Sequence, residues 1–183
     1  MKAVRYTRYG PPEVLTVEDI ERPAPVGNQV LIKVRAASIN ALEWRAMGSN
    51  PLLMRMIGGN LKRPKNPRVG TDVAGVVEAV GAEVSRFKPG DAVFGCATGA
   101  FAEYVLAREA NLAIKPDRAT FEQAAAVPVA GLTALQGLRM EGGIKPGEKV
   151  LIQGASGGVG VFAVQLAKYS GGDVTAVVST RNL

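Results

Sequence analysis

The chain has 183 residues, with 22 lysines and arginines against 16 aspartates and glutamates, no histidine and one cysteine. A hydrophobic share of 47% beside 21% charged residues is that of a soluble globular protein and excludes a wholly disordered chain. The formal charge of +6 suits an anionic partner, either a phosphorylated cofactor or nucleic acid, while the missing histidines remove the commonest metal ligand and the commonest general base.

The opening stretch MKAVRYTRYG carries no apolar core of the signal-peptide kind, so a cytosolic protein is expected. From residue 1 to about residue 119 the pattern is β-rich: AVRY, VLIKVRAA, DVAGVVEAV, DAVFGC and FAEYVLA are short apolar runs separated by YGPPE, RPAPVGN and FKPGD. Many short strands joined by glycine and proline turns predict a small barrel or sandwich. The densest basic stretch is LKRPKNPR, with Lys62, Arg63, Lys65 and Arg68. Prolines break it and no aromatics alternate with its charges, so it reads as a solvated loop and disfavours nucleic acid as the partner. The lone Cys96 can form no internal disulfide and reads as a small core residue.

A turn signature occurs at Lys88 (KPGDAV) and again at Lys145 (KPGEKV), in each case Pro-Gly, an acid and then a strand. Nothing around it repeats, so it is reused turn chemistry. Helical signals begin at Thr120: TFEQAAAV has the arrangement of a capping box, with Thr120 at the N-cap and Gln123 three residues on. A second helix, PVAGLTALQGLRM, has Pro128 in its first turn. The longest largely apolar run, AAAVPVAGLTAL, is too short to span a bilayer. Beyond KPGEK the order is strand (VLIQG), glycine turn, helix from about Gly158 to Tyr169, and strand (DVTAVVS), which is a parallel βαβ unit.

The glycine turn, GASGGVG, sets Gly154, Gly157 and Gly160 in a GxxGxxG pattern. One glycine turns the chain, one lets the backbone approach a pyrophosphate, and one lets helix pack on strand. Free amides at the helix start face an anion there, and the helix dipole adds about 0.3 to 1 kcal/mol. The glycines alone are weak evidence; their place between an apolar strand and a helix makes a dinucleotide site the expectation, with a merely tight structural turn as the alternative. The second strand of an NAD site is expected to end in Asp or Glu, whereas this chain offers Ser179, Thr180 and Arg181, which suit a 2′-phosphate. A charge-assisted hydrogen bond of about 1.5 to 3 kcal/mol would favour NADP over NAD by about one to two orders of magnitude. The alternative for Arg181 is a solvated loop residue.

The ordered set YGPPEVL, VLIKVRAASIN, GTDVAGVVEAVG, FKPGDAVFG, GAFAEYV, AAAVPVAGLTAL and VLIQGASGGVG resembles the medium-chain dehydrogenase/reductase superfamily, in its zinc-free quinone oxidoreductase branch, over essentially the whole chain. The resemblance implies a GroES-like β-barrel catalytic domain, residues 1–119, followed by a helical bridge and the start of a Rossmann NADP-binding domain, residues 120–183. It also implies that Asn40 and Thr133 lie near the nicotinamide and the reacting oxygen, and that Gly157, Gly158 and Val159 line the pyrophosphate, with Gly154, Ser156 and Gly160 completing the cofactor set. Trp44 is expected to wall the substrate pocket or simply to pack; Arg45 attracts an electron-rich acceptor or sits on a solvated helix face. Read without the family, Asn40 is first a satisfied turn residue.

Zinc alcohol dehydrogenases of the superfamily have Cys where this chain has Asn40, a His-Glu pair where it has Thr71-Asp72, and a third ligand Cys near Val129. Without histidine and with one cysteine, no zinc site of soft ligands can be built. Hydride abstraction from an alcohol needs a stabilised alkoxide, whereas hydride donation to a quinone or enone gives a delocalised anion. The expected activity is therefore NADPH-dependent reduction of a quinone or α,β-unsaturated carbonyl, with the nicotinamide in a cleft between the domains and the proton taken from solvent or a polar neighbour. Enoyl reductases of the mitochondrial type carry a tyrosine proton donor where this chain reads Ser49-Asn50-Pro51, which argues against a dedicated enoyl-thioester reductase. A doubly wound domain has about six strands and two are present here, so a fragment of a longer, homodimeric parent is expected. The alternatives are a non-catalytic dinucleotide-binding module, a zinc-free alcohol dehydrogenase-like enzyme and a nucleic-acid-binding protein.

Overall fold

The computed structural model describes residues 1–48 and 64–182. Lys62 and Arg63 of the basic stretch, and the Ser49-Asn50-Pro51 segment, lie outside the described residues. The chain divides into two compact units, Met1–Pro128 and Val129–Leu183.

In the first unit, β1 (Lys2–Tyr6) and β2 (Leu15–Asp19) form an antiparallel pair. Strands β3 (Gln29–Ser38), β4 (Asp72–Val80), β5 (Ala92–Cys96), β6 (Tyr104–Arg108) and β7 (Leu112–Ile114) form an antiparallel sheet in the order β6-β3-β4-β5-β7. The period of two that marks these runs in sequence sends Val30 and Ile32 of β3, Val73 and Val77 of β4, Val93 of β5 and Val105 and Ala107 of β6 into one core. Each fully buried valine or isoleucine there contributes about 1.5 to 3 kcal/mol over its exposed state.

The expected barrel does not close among the described residues: the ladder ends at β6 and β7, giving an open sheet beside the β1-β2 pair. The cause is local. A single 3-10 turn, Glu109–Asn111, carries the chain from β6 to β7 at the opposite edge, and β7 is three residues long. The β1-β2 pair joins the rest only through the isolated bridges Ala3↔Ala102 and Arg5↔Arg68.

A short helix, α1 (Ala41–Gly48), follows β3, and α2 (Phe121–Ala125) closes the unit. Thr120 and Gln123 form the expected capping box. Ala124 and Ala125 of α2 pack with Ala74 of β4, and Ala36, Phe94 and Phe121 flank them. That packing extends the first compact unit to Pro128, whereas a boundary after 119 assigns α2 to the second. Buried Lys115 holds the approach to α2 by donating from Nζ to the carbonyls of Pro116 at 2.9 Å and Ala119 at 2.6 Å.

The second unit contains α3 (Pro128–Arg139), whose first residue belongs to the unit before it, then β8 (Lys149–Gln153), α4 (Gly158–Tyr169) and β9 (Asp173–Val177). Strands β8 and β9 are parallel, in register from Lys149↔Asp173 to Gln153↔Val177, so the expected strand, helix, strand unit is present. Its core is built of Ala134, Ile152, Ala155, Ala163 and Ala167. The repeated turn is one device used in both units: the amide of Lys88 donates to Asp91 Oδ2 and that of Lys145 to Glu148 Oε2, each at 2.9 Å. No helix among the described residues is long and apolar enough to cross a membrane.

Two glycine substitutions separate close packing from chain freedom. A Cβ on Gly75 of β4 would overlap the Lys33 carbonyl oxygen, where β3 has an irregularity between Val34 and Ala36, whereas Gly137 of α3 has open space around it. In urea unfolding, Gly75→Ala should lose about 1 to 3 kcal/mol and Gly137→Ala should gain about 0.5 to 1 kcal/mol.

Candidate functional site

The polar cluster of the first unit forms where three adjacent strands end. Register places Ser38, the last residue of β3, opposite Asp72, the first of β4, and Asp72 opposite Cys96, the last of β5. Asp72 has no exposed surface. Its Oδ2 accepts from Ser38 Oγ at 2.7 Å and from Asn40 Nδ2 at 2.9 Å, and its Oδ1 accepts from Cys96 Sγ at 4.0 Å. Burial, and then the neighbouring Asp72 carboxylate, push the Cys96 thiol above its ordinary pKa. Sequence reading treated Cys96 as core; the structure puts it half-buried on this polar cluster.

Asn40 reaches Asp72 because Glu43 does its capping work. At the start of α1 the Asn40 amide donates to Glu43 Oε2 at 2.7 Å, and the Glu43 amide donates to the Asn40 carbonyl at 3.2 Å. Glu43 is 7% exposed, and its second carboxylate oxygen, Oε1, is buried without a hydrogen-bond partner. Ser38 and Glu43 carried no role in the sequence reading. The signal that could have found Glu43 was its spacing of three residues after an Asn that precedes a helix.

Trp44 and Arg45 sit on the outer face of α1. Trp44 is 57% exposed and its ring lies 5.5 Å from the Arg45 guanidinium carbon, a cation–π contact, with exposed Ile39 and Leu42 beside it in sequence. A cavity of about 470 Å³ in the same unit is lined by Thr71, Cys96, Arg68 and Arg108 among others, and by none of Asn40, Trp44 or Arg45.

Asn40 and Asp72 are bonded to one another, and the described residues contain no group of three or more His, Cys, Asp or Glu side chains able to hold a metal.

In the second unit, Thr133 is exposed on α3, and its hydroxyl donates to the Val129 carbonyl one turn back at 2.6 Å, which leaves it only lone pairs to offer. The glycine turn follows β8. Gly154 has φ +73°, a left-handed conformation, and its carbonyl accepts from Gly157, the N-cap of α4, at 3.0 Å. A Cβ on Gly160 would overlap Gly154 O and Ala155, so this glycine is the one that lets helix lie on strand. A Cβ on Gly158 would stand in open space. The amides of Gly158, Val159 and Gly160, the first three of α4, have no hydrogen-bond partner among the described residues.

Ser179, Thr180 and Arg181 are exposed just beyond β9, where a 3-10 turn spans Thr180–Asn182. Arg181 makes no ion pair among the described residues. Asn182, which the sequence reading did not single out, donates from Nδ2 to Ser156 Oγ at 3.0 Å and so ties the end of β9 to the glycine turn. All the cofactor candidates thus gather at one end of the βαβ unit.

Comparison with known proteins gives a coherent result. The alcohol dehydrogenase GroES-like domain family matches residues 27–117. A quinone oxidoreductase of Sus scrofa is 40% identical, across 98% of this chain and 53% of that protein. Among solved structures, the Escherichia coli quinone oxidoreductase complexed with NADPH matches with a TM-score of 0.84 at 31% identity, covering 100% of this chain and 54% of that one. The CurK enoyl reductase matches with a TM-score of 0.91 at 30% identity, covering 98% and 55%. The chain spans about half the length of the curated relatives it matches.

The raised thiol has a measurable consequence. Folding holds the proton on Cys96 more tightly than the unfolded chain does, so this group adds stability below the ordinary thiol range, and that stability is lost as pH rises through the raised value. Iodoacetamide labelling of Cys96 in the native chain should set in above about pH 8.5, and Asp72→Asn should move that onset downward.

Proposed function

The chain belongs to the medium-chain dehydrogenase/reductase superfamily, in its quinone oxidoreductase branch, and from this we propose that the protein containing it is an NADPH-dependent reductase of quinones or α,β-unsaturated carbonyls that works without zinc. The observation that carries the reading is the glycine turn with three unpaired amides at the start of α4. These residues fit a pyrophosphate: the donors lie at the positive end of a helix dipole, and Gly158 leaves open space where a side chain would stand.

Gly157, Gly158 and Val159 would grip the pyrophosphate through backbone, with Gly160 setting the depth of the cradle. Ser156 would contribute its hydroxyl, held in place by Asn182. Ser179, Thr180 and Arg181 would receive the 2′-phosphate; the unpaired Arg181 guanidinium supports NADP over NAD. NADPH, when bound, supplies the hydride. Asn40 and Thr133 are proposed to border the nicotinamide and the acceptor, and the exposed Trp44 with Arg45 offers a flat, cation-edged surface for a conjugated ring. A conjugated acceptor suits a donor set without zinc, because its reduced form spreads the incoming charge.

A cytosolic setting fits a protein whose lone Cys96 is a free thiol. A homodimer is proposed for the full-length protein, by the resemblance alone.

Steady-state oxidation of NADPH by the full-length protein, with a panel of quinones and enones, tests the activity. Turnover with at least one acceptor is expected; tight NADPH binding without turnover on any of them would favour a binding module. Arg181→Ala should lower the preference for NADPH over NADH by about one to two orders of magnitude, read from the two Kd values, and an unchanged ratio would remove Arg181 from the site. Gly158→Ala should fold and melt like the parent yet bind NADPH at least about tenfold more weakly.

A further inference from the structure

The nitrogen of the Asn40 side-chain amide is committed to a buried carboxylate and to the hydroxyl beside it. Nδ2 donates to Asp72 Oδ2 at 2.9 Å and to Ser38 Oγ at 3.3 Å, while the Ser38 hydroxyl gives its single proton to the same Asp72 oxygen at 2.7 Å. This closed triangle fixes which way the amide faces. A carboxylate oxygen only accepts, and a serine oxygen whose proton is already directed to that carboxylate can also only accept from Asn40, so nitrogen and not oxygen must point at both. The remaining atom, Oδ1, has no partner among the described residues. The backbone on either side is pinned as well, by the reciprocal bonds between Asn40 and Glu43 at 2.7 and 3.2 Å.

We infer that Asn40 meets its ligand through Oδ1 as a hydrogen-bond acceptor, that Asp72 and Ser38 are positioning residues holding it in that sense, and that the group it takes is an N–H or O–H donor. The inference rests on the proposed reductase function and refines it. An acceptor repels the lone pairs of a bare carbonyl, so through Oδ1 Asn40 does not bind the reacting oxygen of a quinone or enone. Two donors are available to such a site, the carboxamide N–H of the nicotinamide and a hydroxyl carried by the acceptor molecule. A half-buried asparagine held by a fully buried carboxylate is stiff, so the selection acts on ligand binding and appears in KM more than in kcat.

The test uses the full-length protein and two matched pairs. In the cofactor arm, NADPH is compared with its reduced 3-acetylpyridine analogue, which keeps the ring carbonyl and lacks the amide N–H. In the substrate arm, a hydroxyl-bearing naphthoquinone is compared with its methyl ether. One arm should show a KM about tenfold higher for the member without the donor, with kcat little changed. Asn40→Ala should bring that ratio close to one. Asp72→Asn, which gives the neighbour a donor and allows the Asn40 amide to turn over, should shrink the ratio while kcat persists. Ser38→Ala removes one corner of the triangle with less disturbance of the buried carboxylate, so it should lower the ratio partly and decides the matter if Asp72→Asn fails to fold. Normal turnover with a ratio near one in both arms, or a full ratio retained in Asp72→Asn and Ser38→Ala, overturns the assignment of Asn40. Failure to oxidise NADPH with any acceptor sinks the reductase function itself and takes this inference with it.

Discussion

A carboxylate with no exposed surface has to be met by donors, and Asp72 obtains them by gathering the ends of three strands. An ionised group in that position is tolerated only if hydrogen bonds replace the water it has lost. Ser38, Asn40 and Cys96 supply contacts to it, and each lies at or just beyond a strand terminus. The antiparallel register of β3, β4 and β5 therefore places the chemistry as well as the core, since a slip by one residue would turn Ser38 and Cys96 away from Asp72. Glu43 takes over the helix cap and leaves the Asn40 side chain for the cluster.

The second unit works by the opposite means, with backbone in place of side chains. Gly154 takes the left-handed turn, Gly160 permits close approach, and the first amides of α4 are left without partners. The glycine turn itself uses no ionisable group. That difference explains why the polar cluster and the glycine turn are unequally legible in the sequence. A glycine turn between an apolar strand and a helix is a local pattern, and its elements, including α4 from Gly158 to Tyr169, fall where the pattern puts them. The Thr120-Gln123 capping box and the paired Lys-Pro-Gly-acid turns are local too.

What was not legible is what depends on distant pairing. Asp72 stands 34 residues from Ser38 and 24 from Cys96, and only the sheet register brings them together. Strand β2, with its sequence LTVED, alternates too weakly to stand out, and β7 is too short; both exist because a neighbouring strand holds them. Helix α1 hides for a related reason: in ALEWRAMG only Glu43 and Met47 are buried, four positions apart, which is a very narrow inward face. The open sheet has the same origin, since short apolar runs reveal that strands exist but not whether the last one finds the first.

The make-up of the two cores also sets the order in which heat undoes them. The first is filled with valine and isoleucine, whereas four of the five buried residues of the second, Ala134, Ala155, Ala163 and Ala167, are alanines, and Leu151 of β8 stands 70% exposed. Small side chains bring α4 close to its strands but withdraw little apolar surface from water per residue. Thermal softening thus reaches the strand-helix-strand unit first, so calorimetry should find it the less heat-resistant part, and a ligand seated on it would act as its fastening.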